Sequence, residues 1–379
     1  MSGREEAMES RKRAVVVILG LVVFALGIVA VTAATGGKDR SESGPRPGGP
    51  EAAAARGGGA IAMASPGSKG GGQASGASQP ASRPGEVLAE LAWGSGDSQL
   101  GRERPQEGNP EAPMSLAVSP LGDVVVLDQV NGRLVRLGPD GKVTGTLPIT
   151  QQAPQDVAVA KDGTVLVLDR LRDKTVAIID PYTGALKGDL PVQGEGIPNP
   201  GGITGTFVDG DSVYVEREHG ALIRIGDLSG KADTTRPEIP GRPTRDGRAY
   251  VLARIIDGPS GRLLLNVVDR PSGQHRYTRE YRLQFPLMFI TLLDSDRAGI
   301  LYLAVAGELP TGKASPATEP AVRLFCVEPL DGKVIGQTDL PLNTLPEETF
   351  RDFTVLDEGG VLYQYRTESG VSLRRADCR

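Results

Sequence analysis

Few side chains in this 379-residue sequence are of the kinds that make and break covalent bonds. Its two histidines, His219 in "EREHGAL" and His275 in "PSGQHRY", sit in loop-like stretches of separate segments. A zinc site needs three or four converging ligands, and two isolated histidines do not supply them. No Gly-x-Ser-x-Gly elbow presents a serine nucleophile. The stretch "GSGDSQLG" at 94–101 lacks the lysine and spacing of a phosphate-binding loop and reads as a turn.

The acids show more pattern. Asp128 ends "GDVVVLD", and Asp169 ends "GTVLVLD" 41 residues later. Counting six residues from the later equivalent glycines gives Glu216, then Val267, Val305 and Arg366. A short carboxylate at a strand end can accept the backbone N–H groups of the loop ahead. The same three acids, Asp128, Asp169 and Glu216, would also form an arc of negative charge on one face, a candidate binding surface.

A repeat positions them. The glycine that opens each β-rich run recurs at Gly122, Gly163, Gly210, Gly261, Gly299 and Gly360. Each is followed by a strand-like run ("VVVL", "VLVL", "VYVE", "LLLN", "LYLA", "LYQY") and preceded by another, with turn residues between them. A third run ("RLVRL", "TVAII") and a fourth ending in Leu-Pro ("KVTGTLP", "KVIGQTDLP") complete the unit. Four antiparallel strands every ~40–50 residues mark a β-propeller blade. Six glycines therefore predict an all-β, six-bladed propeller over residues 87–379. The unit at 249–286 is the least regular, and its outermost strand cannot be assigned. The last unit lacks a fourth strand, whereas "EVLAELAW" at 86–93 has strand character and no blade of its own. It is expected to complete the last blade and close the ring, which removes an open edge.

Residues 93–137, "WGSGDSQLG…AVSPLGDVVVLDQVNGRLVRL", resemble the NHL-type propeller family. Asp128, Asn131 and Arg133 match its Asp-x-x-Asn-x-Arg pattern. Blade 2 keeps Asp169 but has Arg172 and Lys174 at the other two places, and later blades drift further. The resemblance implies an NHL-like propeller. Relatives include binding scaffolds, sensor ectodomains and some enzymes, so it does not choose a function. The enzymes among them generally need histidines or a carboxylate cluster in the central channel to hold a metal.

Cys326 and Cys378 fall on the third strands of blades 5 and 6. Equivalent positions of neighbouring blades stand far apart for the ~4.4–6.8 Å Cα separation of a disulfide. Cys378 is the penultimate residue, however, so both a bond and two separate thiols stay open.

Residues 14–34 carry no charge and no proline. As a helix they would span ~31 Å, close to the hydrocarbon thickness of a bilayer. They are expected to be an uncleaved signal anchor, with a cleaved signal peptide as the alternative. Arg11, Lys12 and Arg13 precede the run, while Lys38 and Arg40 follow it among Asp39 and Glu42. The positive-inside rule places the tail of residues 1–13 in the cytoplasm and the rest in the periplasm or outside the cell. Residues 35–86, rich in Gly, Ala, Ser and Pro, read as a disordered tether.

Residues 87–379 hold 32 Lys plus Arg against 40 Asp plus Glu, a net charge of −8. That excludes nucleic acid as partner, because such affinity rests on phosphate neutralisation. No catalytic constellation, metal or cofactor is implied. The expectation is a membrane-anchored, non-catalytic binding platform for an envelope protein or a glycan. The alternative is a propeller-type lyase or lactonase with a metal in the central channel. The candidate surface is the face of Asp128, Asp169 and Glu216, joined by the apparent long loop at 306–320.

Overall fold

The computed structural model describes residues 85–310 and 318–379. The cytoplasmic tail, the apolar run and nearly all of the tether expected from the sequence lie outside those residues. Among the described residues no helix is long and apolar enough to cross a membrane.

The first strand among the described residues is β1 (Glu86–Ala92), one residue inside the expected tether. Blade 1 comprises β2 (Ser115–Val118), β3 (Val124–Asp128), β4 (Arg133–Leu137) and β5 (Val143–Pro148). Blade 2 comprises β6 (Asp156–Val159), β7 (Val165–Asp169), β8 (Thr175–Ile179) and β9 (Leu186–Pro191). Blade 3 is β10 (Ile203–Asp209), β11 (Ser212–Arg217), β12 (Ala221–Asp227) and β13 (Glu238–Ile239). Blade 4 is β14 (Arg242–Pro243), β15 (Ala249–Asp257), β16 (Arg262–Asp269) and β17 (His275–Arg282). Blade 5 is β18 (Leu287–Ser295), β19 (Leu301–Pro310), β20 (Thr318–Val327) and β21 (Val334–Pro341). Blade 6 is β22 (Phe353–Val355), β23 (Val361–Thr367) and β24 (Gly370–Ala376), completed by β1.

These are six separate four-stranded antiparallel sheets, and first strands of neighbouring blades meet around the axis, β2 touching both β6 and β22. Middle strands such as "VVVLD" and "VLVLD" are buried throughout, because a blade packed on both sides has no solvent face to favour polar alternation. The cores therefore lie between blades. Leu127 and Leu134 of blade 1 pack with Val157 and Val167 of blade 2. Leu373 of blade 6 packs with Leu116 and Val126 of blade 1.

Five of the six opening glycines occupy the expected first turn with positive φ: Gly122, Gly163, Gly210, Gly299 and Gly360. The sixth does not. Gly261 joins the second and third strands of blade 4, and Gly247 (φ 73°) takes the first turn. The first strand there is only Arg242–Pro243, too short to show a period. Val267 consequently lies on a third strand and is no counterpart of Asp128. The missing outermost strand is β17, "HRYTREYR", whose Tyr277 and Tyr281 pack inward.

Residues 306–310 and 318–320 of the supposed loop are strand. β19 and β20 stay in register from Leu301↔Val327 out to Pro310↔Thr318, forming a hairpin longer than that of any other blade. Gly307 is required there, since a Cβ would lie 2.4 Å from the Pro286 carbonyl oxygen and 2.8 Å from the Phe285 ring.

The two cysteines form a disulfide, with Cα atoms 5.6 Å apart. Cys378 lies two residues beyond β24 rather than on a third strand, so the tail can cross to blade 5. The C-terminal backbone passes over Gly336, where a Cβ would collide with the Cys378 carbonyl oxygen. The bond closes a loop with a sequence separation of 52, which in chain-entropy terms stabilises by about 2–4 kcal/mol. Reduction, or Cys326→Ser with Cys378→Ser, should lower the melting temperature by several degrees, read by thermal denaturation with and without reductant. An identical melt would show that the clamp adds nothing.

Candidate functional site

The connections 93–114, 149–155, 192–202 and 342–352 run over one end of the ring, the long-loop face. The second strands of all six blades also end there. Asp128 is fully buried at the end of β3. Its Oδ1 accepts the Gly101 N–H at 2.8 Å, and Oδ2 accepts Asn131 Nδ2 at 2.8 Å and Arg133 Nε at 2.9 Å. Arg133 donates onward to the carbonyls of Gly96 and Gln99, both at 2.8 Å. The Asp-x-x-Asn-x-Arg motif is thus a lock on the glycine-rich loop before it. Asp169, equally buried, accepts the Ala153 N–H at 2.8 Å on Oδ2 and the N–H groups of Leu171 and Arg172 at 3.0 and 2.8 Å on Oδ1.

These two acids therefore present no charge to a partner, contrary to the expected arc. Their oxygens face backbone donors because the loop entering each blade must be tied to its turn. A lysine at either place would bury an uncompensated cation and unfold the blade. Glu216 alone is half-buried; its Oε2 lies 3.4 Å from Thr204 Oγ1, on the side of blade 3 that faces blade 4.

At the axis the sequence reading missed Asp156 and Arg351. Asp156 opens β6 and has no exposed surface. Its Oδ1 accepts Ser115 Oγ at 2.6 Å; its Oδ2 accepts the Thr206 N–H at 2.8 Å and Arg351 Nη2 at 2.5 Å. Arg351 also donates to the Thr206 carbonyl at 3.0 Å. One knot so joins blades 1, 2, 3 and 6. Beside it the Arg170 guanidinium stacks on Phe350 at 4.9 Å, and burial lowers the pKa of Arg170. A signal for Asp156 was present: "SLAV" at 115–118 and "DVAV" at 156–159 are equivalent first strands, and only the second opens on an acid.

The opposite end of the axis is also held by arginine. Arg245 reaches Asp294 at 3.0 Å and Asp357 at 2.5 Å, and Arg297 meets Asp357 at 3.1 Å. Burial pushes the Asp294 carboxyl up, but Arg245 and Arg242 outweigh it and hold the group below its ordinary range. Among the described residues, the one group of three possible metal ligands is Cys326, Asp377 and Cys378. Its two sulfurs are bonded to each other, so this donor set does not fit a metal. His219 is exposed in the turn after β11; His275 is exposed at the start of β17, a strand rather than a loop, with Nε2 2.9 Å from Thr278 Oγ1.

Three exposed apolar side chains stand at the long-loop ends of the adjoining strands β15 and β18 of blades 4 and 5, and Leu171, also exposed, stands on the same face in blade 2. Ile256, Met288 and Phe289 are 44, 36 and 46% exposed. The Leu287 N–H donates to the Gly258 carbonyl at 2.8 Å, which brings Ile256 and Met288 to either side of one hydrogen bond. Phe289 pairs with Ala306 at the base of the β19–β20 hairpin. Arg323 stiffens that hairpin by stacking on Phe285 at 5.0 Å while pairing with Asp339 at 2.6 Å.

Six antiparallel blades closed by the N-terminal strand define a six-bladed β-propeller, with NHL-like features clearest in blade 1. No protein-family model matches the sequence, and no curated protein matches it. Among solved structures, the fold is similar to Kuenenia stuttgartiensis hydrazine synthase, with 19% identity over 69% of this chain and 76% of that one and a TM-score of 0.45. It is similar to virginiamycin B lyase from Staphylococcus aureus, with 14% identity over 69% of this chain and 94% of that one and a TM-score of 0.39. It is also similar to BamB from Moraxella catarrhalis, with 14% identity over 69% and 85% and a TM-score of 0.35. Likeness at this level concerns the fold alone, and function has to be read from this chain's own residues.

Proposed function

We propose that this chain is a membrane-anchored, extracytoplasmic binding platform whose partner is another envelope protein. The observation that carries the reading is the exposure of Ile256, Met288 and Phe289 at the adjoining ends of β15 and β18, beside the long β19–β20 pairing. Apolar side chains grouped on a rigid scaffold are the usual centre of a protein interface, with a few anchors supplying most of the affinity. A protein fits better than a glycan, since the trio is mostly aliphatic. The metal-dependent enzyme gains no support from the axis, where Asp156, Asp294 and Asp357 are each taken by an arginine. The apolar run at 14–34 would be the anchor, and the disulfide suits an oxidising compartment.

The test is co-purification from gently solubilised membranes, comparing the natural chain with Met288→Asp/Phe289→Asp. The expected result is a partner recovered with the natural chain and reduced about tenfold or more with the variant, at unchanged melting temperature. Equal recovery of the same partner would overturn the reading.

A further inference from the structure

Five of the six blade junctions contain a buried apolar core drawn from both neighbours. The junction between blades 3 and 4 does not. Its buried cluster is Phe207, Tyr214 and Leu222, with Ile239 packed against it, all from blade 3. Strand alternation explains what blade 4 offers instead. Val251, Ala253 and Ile255 of β15 pack toward blade 5, so Leu252 and Arg254 turn toward blade 3, while Ile256 sits unpaired at the bulge where the ladder shifts. Register places Asn266 opposite Leu252, and Leu264 opposite Arg254, on that same face. Leu252 and Leu264 are only half-buried, and Arg254 and Ile256 are exposed.

What crosses this junction is cationic. The Arg242 guanidinium lies 5.1 Å from the Phe207 ring centre. Arg270 grips Asp209 at 2.6 and 3.2 Å, which raises the Arg270 pKa, and stacks on Tyr250 at 5.4 Å. These contacts pin the end away from the long loops. Toward the long-loop face, Arg254 extends to the turn at Gly220, while Arg262 and Arg282 share a single acid, Glu280. Residues 242–286 hold nine arginines against four acids, a net +5 in a ring of net −8, which leaves −13 for the remainder.

We propose that the seam between blades 3 and 4 is a docking groove for an extended, acidic segment of a partner protein. Its apolar side chains, at alternate positions, meet Leu252 and Leu264, and its carboxylates meet Arg254, Arg262 and Arg282. Alternation follows from a wall that is itself a sheet face with a two-residue period. Acidity follows from the sign of this sector, unlike that of the rest of the ring. The inference rests on the platform reading and specifies its partner, since the mouth of the seam runs into Ile256 of the exposed trio.

The experiment selects random phage-displayed peptides of about twelve residues, long enough to lie along one strand, against the full-length chain in detergent micelles. Enriched peptides should alternate acidic and apolar residues. They should lose affinity by about tenfold or more for Arg254→Glu/Leu264→Glu. Because Leu264→Glu can loosen the blade, Arg254→Glu alone, at an exposed position, serves as the second variant and should also weaken binding. Enrichment of peptides without acids, no enrichment, or unchanged affinity for folded Arg254→Glu overturns the seam. If the seam fails while Met288→Asp/Phe289→Asp still loses its membrane partner, the platform stands without it.

Discussion

Deletion of Glu86–Ala92 is expected to abolish the cooperative melt of the ring and drive it to aggregate, whereas deletion of residues 35–80 leaves the melt unchanged. The reason lies in how β1 is held. It pairs along its length with β24, from Glu86↔Arg375 to Ala92↔Gly370. The approach is so close that a Cβ on Gly370 would lie 2.2 Å from the Leu91 carbonyl oxygen. Leu91 is buried with Leu100, Leu116 and Leu373, so the strand contributes to the core between blades 6 and 1. Ser372 Oγ donates to Glu90 at 2.7 Å, and the following Trp93 donates from Nε1 to the Thr367 carbonyl at 3.0 Å. Without β1 the edge of β24 stands open, a template for pairing with other chains. The measurement is a thermal melt with light scattering on both deletions. Retention of one sharp transition without β1 would refute closure by this strand.

Much of this was legible in the sequence, because closure leaves a counting residue: one strand too many at the beginning and one too few at the end. The blades were legible through glycine turns and unbroken β-branched runs, which the packing of sheets on both sides requires. Blade 4 was misread for an equally physical reason. Pro243 has no N–H to extend a ladder, so β14 stops at two residues and the Asp-Gly turn at 257–258 imitates a first hairpin. In β17 the charges of "HRYTREYR" mask an inward pair of tyrosines.

The site was less legible, since it depends on which strand ends converge. Asp128 and Asp169 were singled out by spacing, yet spacing does not say whether a carboxylate faces solvent or a backbone. The first entering loop supplies Gly101 and the second supplies Ala153, and those N–H groups decide it. The trio of Ile256, Met288 and Phe289 unites residues from two blades, and no single repeat unit contains it. Cys378 was ambiguous because its partner becomes reachable only after the chain leaves the blade pattern.

The second large effect is expected at Asp156. Asp156→Ala should destabilise the ring by about 3–5 kcal/mol, because it leaves the Arg351 guanidinium without its buried counter-charge. Arg351 has only 18% of its side chain exposed, so water cannot replace the carboxylate fully. The Thr206 N–H and the Ser115 hydroxyl lose their acceptor in the same step, each an unsatisfied buried group. Arg351→Ala should cost less, since Asp156 keeps both of those donors. The two losses should also fail to add, because each single change already breaks the ion pair. Denaturant unfolding of the two single variants and the double variant measures this directly. A surface-like ion pair would show a loss below about 1 kcal/mol for Asp156→Ala. That value would mean that the axis is hydrated and open, and a ligand in the central channel would then outrank a partner docked on the rim of blades 4 and 5.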